Sequence, residues 1–389
     1  MRQQHGIGVV GGGLAGTWLA ATLARQGWPV LLIEAQRLTD AVPAQRDLRT
    51  LALSMASWAQ LGALGITPAA LDATPIRRIH VSYRGRPGRV LLDAADGGID
   101  SFGHTVAYGR LLHALRAALA GLEPLEVADG CQVEAVAGSA VAARVRWRDA
   151  RGQACERLLD LAVIADGGAR MDGSAELCWT YRQQALACRV SSEHPCGDLA
   201  FERFTVEGPL ALLPAYPDHA LIWTAPAARI DALMALPDAQ FLAALQEWFG
   251  DRAGPFTACT ARQRYPLAAR FALHSGQRRV VRIANAAQTL HPVAGQGFNL
   301  GLRDASRLAA LLGPADGRDP GAAQLLDAQR RARGGDRLLT SGITHALAET
   351  FALPLPGLAL GSALGFALLD GTPWLRRGFA RLMGEGLAT

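Results

Sequence analysis

The chain has 389 residues, half of them apolar and only 19% charged, which excludes a disordered polypeptide and suggests about two domains. The formal net charge is +5, and all 39 basic residues are arginine. Without lysine there is neither a Walker A lysine nor a lysine Schiff base. The arginines are scattered with no interleaved aromatics, so no nucleic-acid partner is expected. The cysteines (Cys131, Cys155, Cys178, Cys188, Cys196, Cys259) include no C-x-x-C pair. Reduced thiols in a cytoplasmic protein are expected, with no disulfide framework and no metal site. A secretory leader is not expected, because the apolar start at Ile7 is broken by glycines and runs directly into a structural motif.

That motif begins with Ile7-Gly8-Val9-Val10, which suits a short buried strand. Gly11-x-Gly13-x-x-Gly16 follows, and Leu14, Trp18, Leu19, Thr22 and Leu23 then recur at helical spacing as far as Gly27. Val30 to Glu34 reads as a second buried strand. Strand, turn, helix and strand within about thirty residues is the context that a dinucleotide fingerprint requires. Gly11 permits the tight turn, Gly13 lets the backbone approach a pyrophosphate, and Gly16 lets helix pack on strand; the helix N-terminus offers amide donors to phosphates. Glu34, eighteen residues after Gly16, is placed to accept hydrogen bonds from a ribose diol. The unit alone does not separate FAD from NAD.

From about residue 76 the pattern turns to strands, as in Ile79-His80-Val81-Ser82-Tyr83 and Arg144-Val145-Arg146-Trp147-Arg148, with an amphipathic helix marked by Leu111, Leu112, Leu115 and Leu119 between them. Leu158 to Ile164 predicts a further strand, ending at Ala165-Asp166-Gly167. Ala220 to Thr224 predicts another, and Asp238 to Phe249 a helix. After Val280-Val281-Arg282-Ile283 a glycine-rich turn leads to a helix from about Asn299 to Leu312. Nucleotide-type elements recur on both sides of the strand-rich middle, so the expected domains are interleaved: 1–75, 100–175 and 276–320 for the cofactor, 76–99 and 176–275 for the substrate, and 321–389 as a helical tail. Thr350 to Leu369 carries no charge, which meets the length of a membrane span. Two prolines and three glycines interrupt it and Arg376, Arg377 and Arg381 follow, favouring packed or surface-lying helices.

Three segments, Gly11 to Glu34, Leu161 to Gly167 and Ile283 to Asp304, together resemble the class A flavin-dependent aromatic hydroxylases of para-hydroxybenzoate hydroxylase-like fold. Arg49-Thr50-Leu51-Ala52-Leu53-Ser54, Ile76 to Ser82, Ala200-Phe201-Glu202-Arg203-Phe204-Thr205 and Gly208-Pro209-Leu210-Ala211-Leu212-Leu213-Pro214 are similar to the ubiquinone-biosynthesis hydroxylases. Within that group, Asn285 to Pro292 looks most like the 2-polyprenyl-6-methoxyphenol hydroxylases. The likeness covers nearly the whole chain.

The resemblance implies an α/β fold in which a Rossmann-type FAD-binding domain is interleaved with a strand-rich substrate domain. It implies an FAD-dependent monooxygenase that hydroxylates a ring carbon of a polyprenylated phenol through a flavin C4a-hydroperoxide. O2 would be the co-substrate, with NAD(P)H or another donor supplying electrons. Gly11, Gly13, Gly16 and Glu34 would hold the ADP half of FAD. Arg49 and Arg110 would contact the pyrophosphate or ribitol region, Asp166 would serve the second nucleotide motif, and Asn285 would face the ribityl chain. Pro292, Gly295, Gln296, Gly297 and Asn299 would border the isoalloxazine. Most relatives have Gly-Asp where this chain has Ala284-Asn285, a departure that weakens the ribityl contact; the surroundings of Asp166 depart as well.

No catalytic dyad stands out. His291 and Tyr216, the latter on a strand expected to face the ring, are candidates for handling a phenolic proton, each with a purely structural alternative, and Arg203 is either an anion contact or a solvated strand residue. A long isoprenoid substrate would place the protein at the inner-membrane surface, within reach of a ubiquinone-biosynthesis assembly. Other readings are a hydroxylase of a soluble aromatic metabolite, a prenyl reductase of the same fold, or a flavin- or lipid-binding subunit of low activity.

Overall fold

The glycine-punctuated start folds as its spacing predicts. In the computed structural model of the chain, which describes residues 6–39, 49–85, 88–166, 176–272, 276–289 and 296–352, Ile7–Val10 and Val30–Glu34 are strands flanking the helix Leu14–Arg25. Both strands are apolar throughout because parallel strands are covered on both faces. They occupy the middle of a six-stranded sheet in the order Gly276–Gln277, Val280–Arg282, Leu161–Ile164, Ile7–Val10, Val30–Glu34, Leu125–Asp129. Only the edge pair of Gly276–Gln277 with Val280–Arg282 is antiparallel.

On one face, Trp18, Leu111, Leu115, Leu302 and Leu308 from the helices Leu14–Arg25, Tyr108–Ala117 and Gln296–Leu312 pack on Val9 and Leu32. On the other, a three-stranded antiparallel sheet (Gln132–Gly138, Ala143–Arg148, Ala154–Leu159) sets Val136, Val145 and Trp147 against Val10, Leu31 and Ile33. The segment Leu158 to Ile164 is divided between two strands at Asp160, whose amide donates to the Gly6 carbonyl at 2.9 Å.

The strand-rich middle forms a nine-stranded sheet. Its main path runs Gln288–Thr289, Gln263–Ala272, Glu176–Ser192, Asp218–Pro226, Pro209–Ala215, Leu199–Phe204, Arg78–Tyr83, Arg89–Asp93, with Phe256–Cys259 pairing beside Glu176–Ser192. Helices Ala227–Ala235 and Asp238–Phe249 cover one face, where Ile230, Phe241, Leu245 and Phe249 meet Leu186, Leu212 and Trp223. A small sheet of Thr50–Ser54, Gly103–Ala107 and Thr74–Ile76 joins the two large sheets. The Thr105 hydroxyl donates to the Pro214 carbonyl, and the Tyr216 amide to Thr74 Oγ1.

The helix expected from about Asn299 starts earlier, at Gln296. It is followed by Ala323–Ala352, a thirty-residue helix within the segment expected to be a helical tail. Among the described residues no helix is long and apolar enough to cross a membrane. The uncharged tail beyond Ala352, with Arg376, Arg377 and Arg381, lies outside the described residues.

Candidate active site

The strand Ile7–Val10 has Val30–Glu34 on one side and Leu161–Ile164 on the other, so its C-terminal end is a switch point where an α/β sheet opens a crevice for a ligand. The glycine loop fills that end. Gly11 has φ +104°, and a Cβ there would lie 2.7 Å from the Cα and amide nitrogen of Asp166. The two nucleotide motifs, 155 residues apart in sequence, therefore meet at one point. A Cβ on Gly16 would collide with the Gly11 carbonyl, while one on Gly13 would meet nothing within 4 Å. Open space over Gly13, beside a helix N-terminus, is what a pyrophosphate needs. Glu34 bends back over the loop, accepting from the amides of Gly12 and, at 2.9 Å, Gln36. These residues fit the ADP half of a dinucleotide.

The second half of the crevice is framed by the turn Ala284–Ala286 and the helix Gln296–Leu312. Ala284 adopts φ +51°, so the left-handed turn forms although the residue is not glycine. Asp304 holds it: one carboxylate oxygen accepts from the Ala284 amide (3.2 Å) and Gln288 Nε2 (2.6 Å), the other from Arg333 Nε (2.7 Å). Arg337 donates to Gln288 Oε1 and to the carbonyls of Ala272 (3.2 Å) and Ala287 (2.8 Å). Burial pushes the Arg337 pKa down, partly offset by Asp304. The long helix Ala323–Ala352 thus clamps the turn from behind. Asn285 itself is exposed, free of the strand pairing around it, while its carbonyl accepts from Thr289 Oγ1 at 3.3 Å.

Asn299 is buried, and its amide joins three elements. Its Oδ1 accepts from the Ser54 amide (3.1 Å) and Ser57 Oγ (2.8 Å), and its Nδ2 donates to the Ala52 carbonyl (2.9 Å). It positions the helix start against the small sheet. Gly297 has open space where a Cβ would be, and Gln296 begins the helix. His291, Pro292 and Gly295 lie outside the described residues.

Arg49 stacks on Tyr108 at 4.2 Å and reaches Tyr265 of the nine-stranded sheet at 5.9 Å. Arg110 is exposed and paired with Asp72 at 2.5 Å. Tyr216 is not on a strand face; it sits in the turn between Pro209–Ala215 and Asp218–Pro226, 68% exposed, because Pro217 ends the pairing. Arg203 points to the helix-covered face, donating to the Trp248 carbonyl at 3.1 Å, and lines a separate cleft of about 520 Å³ with Arg89 and Arg252. Among the described residues no cluster of His, Cys, Asp or Glu could hold a metal ion.

No family model matches the chain. It is 33% identical to 3-demethoxyubiquinol 3-hydroxylase of Escherichia coli over 79% of each chain. It is 31% identical to ubiquinone hydroxylase UbiL of Rhodospirillum rubrum, over 96% of this chain and 88% of the relative. The chain belongs to the ubiquinone-biosynthesis flavin hydroxylases. The fold agrees: p-nitrophenol 4-monooxygenase from Pseudomonas putida superposes with a TM-score of 0.76 over 99% of this chain and 98% of its own, at 17% identity. As in its family, the chain is a monooxygenase working with FAD and O2, and the Gly11–Asp166 crevice fits that cofactor.

One residue of this region escaped the sequence reading. Glu202 is the single acid on the strand Leu199–Phe204. With the charged Arg203 beside it, no local pattern singled it out.

Proposed function

We propose that the protein hydroxylates an aromatic ring carbon of a polyprenylated phenol. This reading rests on one coincidence: a likeness over nearly the full length to ubiquinone hydroxylases and a crevice at which the two nucleotide motifs meet, Gly11 against Asp166. Gly11, Gly13 and Gly16 hold the pyrophosphate, Glu34 the ribose, and Asn285 the ribityl chain. Arg49 and Arg110 balance phosphate charge, Arg110 by exchanging its exposed Asp72 partner. Asp166, Pro292, Gly295, Gln296 and Gly297 border the cofactor, with Asn299 fixing their helix. FAD, once reduced by NAD(P)H, supplies activated oxygen from O2; the protein contributes orientation and a dry surface. Cells lacking the protein should accumulate a quinone precursor one hydroxyl short, and its ring substitution pattern names the step. Unchanged precursor pools would remove the reading.

A substrate with a long isoprenoid partitions into bilayers, so the protein docks reversibly on the inner membrane from the cytoplasm, beside other enzymes of the assembly. Arg376, Arg377 and Arg381 supply attraction to anionic headgroups of about 1 kcal/mol each, screened by salt. Liposome flotation across a salt series tests this. Retention on anionic vesicles at low salt and release at high salt are expected; no binding at low salt, or retention that only detergent breaks, contradicts it.

A further inference from the structure

The strand Leu199–Phe204 divides its side chains between two environments. Phe201 and Arg203 face the helices: the Phe201 ring lies 5.3 Å from Phe249, and Arg203 bonds Trp248. Ala200 and Glu202 face the other way, and Ala200 packs with Ile76, Phe102 and Leu213. Ala52 borders the same cluster, and its carbonyl receives the Asn299 amide. The face that carries Glu202 is therefore turned toward the flavin-bearing half.

Register places Glu202 directly opposite Val81 on one side and Ala211 on the other, and Ala211 opposite Ile222, which pairs with Ala187. Across five adjacent strands this row is Val, Glu, Ala, Ile, Ala. The alanines leave room for a flat ring; Glu202 is the one hydrogen-bonding side chain in the row across these five strands, and the row continues beyond Ala187 to Gln263, which accepts from the Tyr265 hydroxyl at 2.5 Å. No described residue forms an ion pair or hydrogen bond with its carboxylate. The side chain keeps some accessible surface, so it borders a space, although the surrounding protein strips its hydration.

We propose that Glu202 binds the hydroxyl of the phenol substrate and takes its proton as the ring is oxidised, an inference that rests on the function proposed above. The phenolic O–H bond breaks, the proton moves to a Glu202 carboxylate oxygen, and the electron pair left on the phenolic oxygen enriches the ring carbons. The enriched carbon attacks the terminal oxygen of the two-electron oxidant that the reduced flavin would make from O2; the new C–O bond forms as the O–O bond breaks, and the other oxygen takes up a proton and ends as water. The hydrogen of the attacked carbon returns to the ring oxygen as aromaticity is restored, and Glu202 releases its proton to solvent. Burial alone pushes the Glu202 carboxyl up to about 7, matched to a base working near neutral pH. The other titratable groups on this face are Tyr83 and Tyr265, one row away, and Arg189, which pairs with Asp218 at 3.5 Å. His104 and Arg77 lie on the small sheet's side. None of them contributes to the shift.

The test compares wild type with Glu202→Gln and Glu202→Asp in the FAD-loaded enzyme, using 2-farnesylphenol as substrate. FAD content and the Kd for the phenol should stay within a few-fold in Glu202→Gln. Its kcat should fall on the order of 100-fold, and the rise of kcat with pH near 7 should vanish; Glu202→Asp should restore part of both. Wild-type kcat in Glu202→Gln, or a reduced rate with the pH profile intact, overturns the proposal. If wild type itself hydroxylates no prenylated phenol, the function proposed above fails, and binding decides Glu202 separately. Preference for the phenol over its O-methyl ether, kept in Glu202→Gln and lost in Glu202→Leu, supports the contact; equal binding by wild type overturns it.

Discussion

The methyl group of Ala284 occupies the space that a side chain on Gly301 would need: a Cβ at Gly301 would lie 2.7 Å from Ala284 Cβ. The first helix behind the flavin turn therefore carries glycine where the turn carries alanine. Because Ala284 sits at φ +51°, Ala284→Gly should relieve backbone strain and raise stability by about 1 kcal/mol. Gly301→Ala should cost about 1 to 3 kcal/mol by overpacking, and less in the Ala284→Gly background. Chemical denaturation of the four proteins reads this coupling, and additive effects would show that the two residues do not meet.

Gly13 is the glycine that can be changed without disturbing the apoprotein. A Cβ there meets no protein atom within 4 Å, so a side chain would fill the pyrophosphate approach instead. Gly13→Val should fold with wild-type stability and purify without FAD, whereas Gly16→Val should fail to fold because its Cβ strikes the Gly11 carbonyl. Full flavin content in folded Gly13→Val would place the cofactor elsewhere.

Asp304 and Arg333 form an ion pair whose side chains are 3% and 7% exposed. Arg333→Ala leaves a buried carboxylate without its charge partner and should cost about 3 to 5 kcal/mol. Pairing Asp304→Asn with Arg333→Met should recover much of that loss, since neither charge then needs compensation. Urea midpoints measure both. FAD retention should fall with Arg333→Ala, because the same carboxylate holds the Ala284 amide.

Glu202 gives a pH signature in stability as well as in rate. Its folded-state pKa, about 7, stands above the ordinary 4.5, so ionisation disfavours the fold. Its contribution is intact below about pH 4.5 and is lost as pH rises toward 7. Relative to wild type, Glu202→Gln should show the same denaturation midpoint near pH 4 and a higher one near pH 8. Equal midpoints at the higher pH would mean that the carboxylate is well hydrated in the fold.

What the sequence made legible was local. Gly11 to Glu34 and the helix Asp238–Phe249 are defined by residues within a turn or two of one another, and they fold as read. The environment of Glu202 depends on Val81, Ala187, Ala211 and Ile222, brought together only by strand register, so no local pattern exposed it. Tyr216 read as a strand residue because Leu213-Pro214-Ala215 before it is one; the turn at Pro217 ended the alternation. Arg333 and Arg337 went unread, because their partners, Asp304 and Gln288, lie 29 and 49 residues away in sequence.

The most direct test of the account is a single-turnover reaction of the FAD-loaded protein, reduced without oxygen, mixed with a prenylated phenol and exposed to isotopically labelled O2. The account predicts a ring-hydroxylated product carrying one labelled oxygen atom. Reoxidation of the flavin with release of hydrogen peroxide and recovery of unchanged phenol, across a range of isoprenoid lengths, would contradict it.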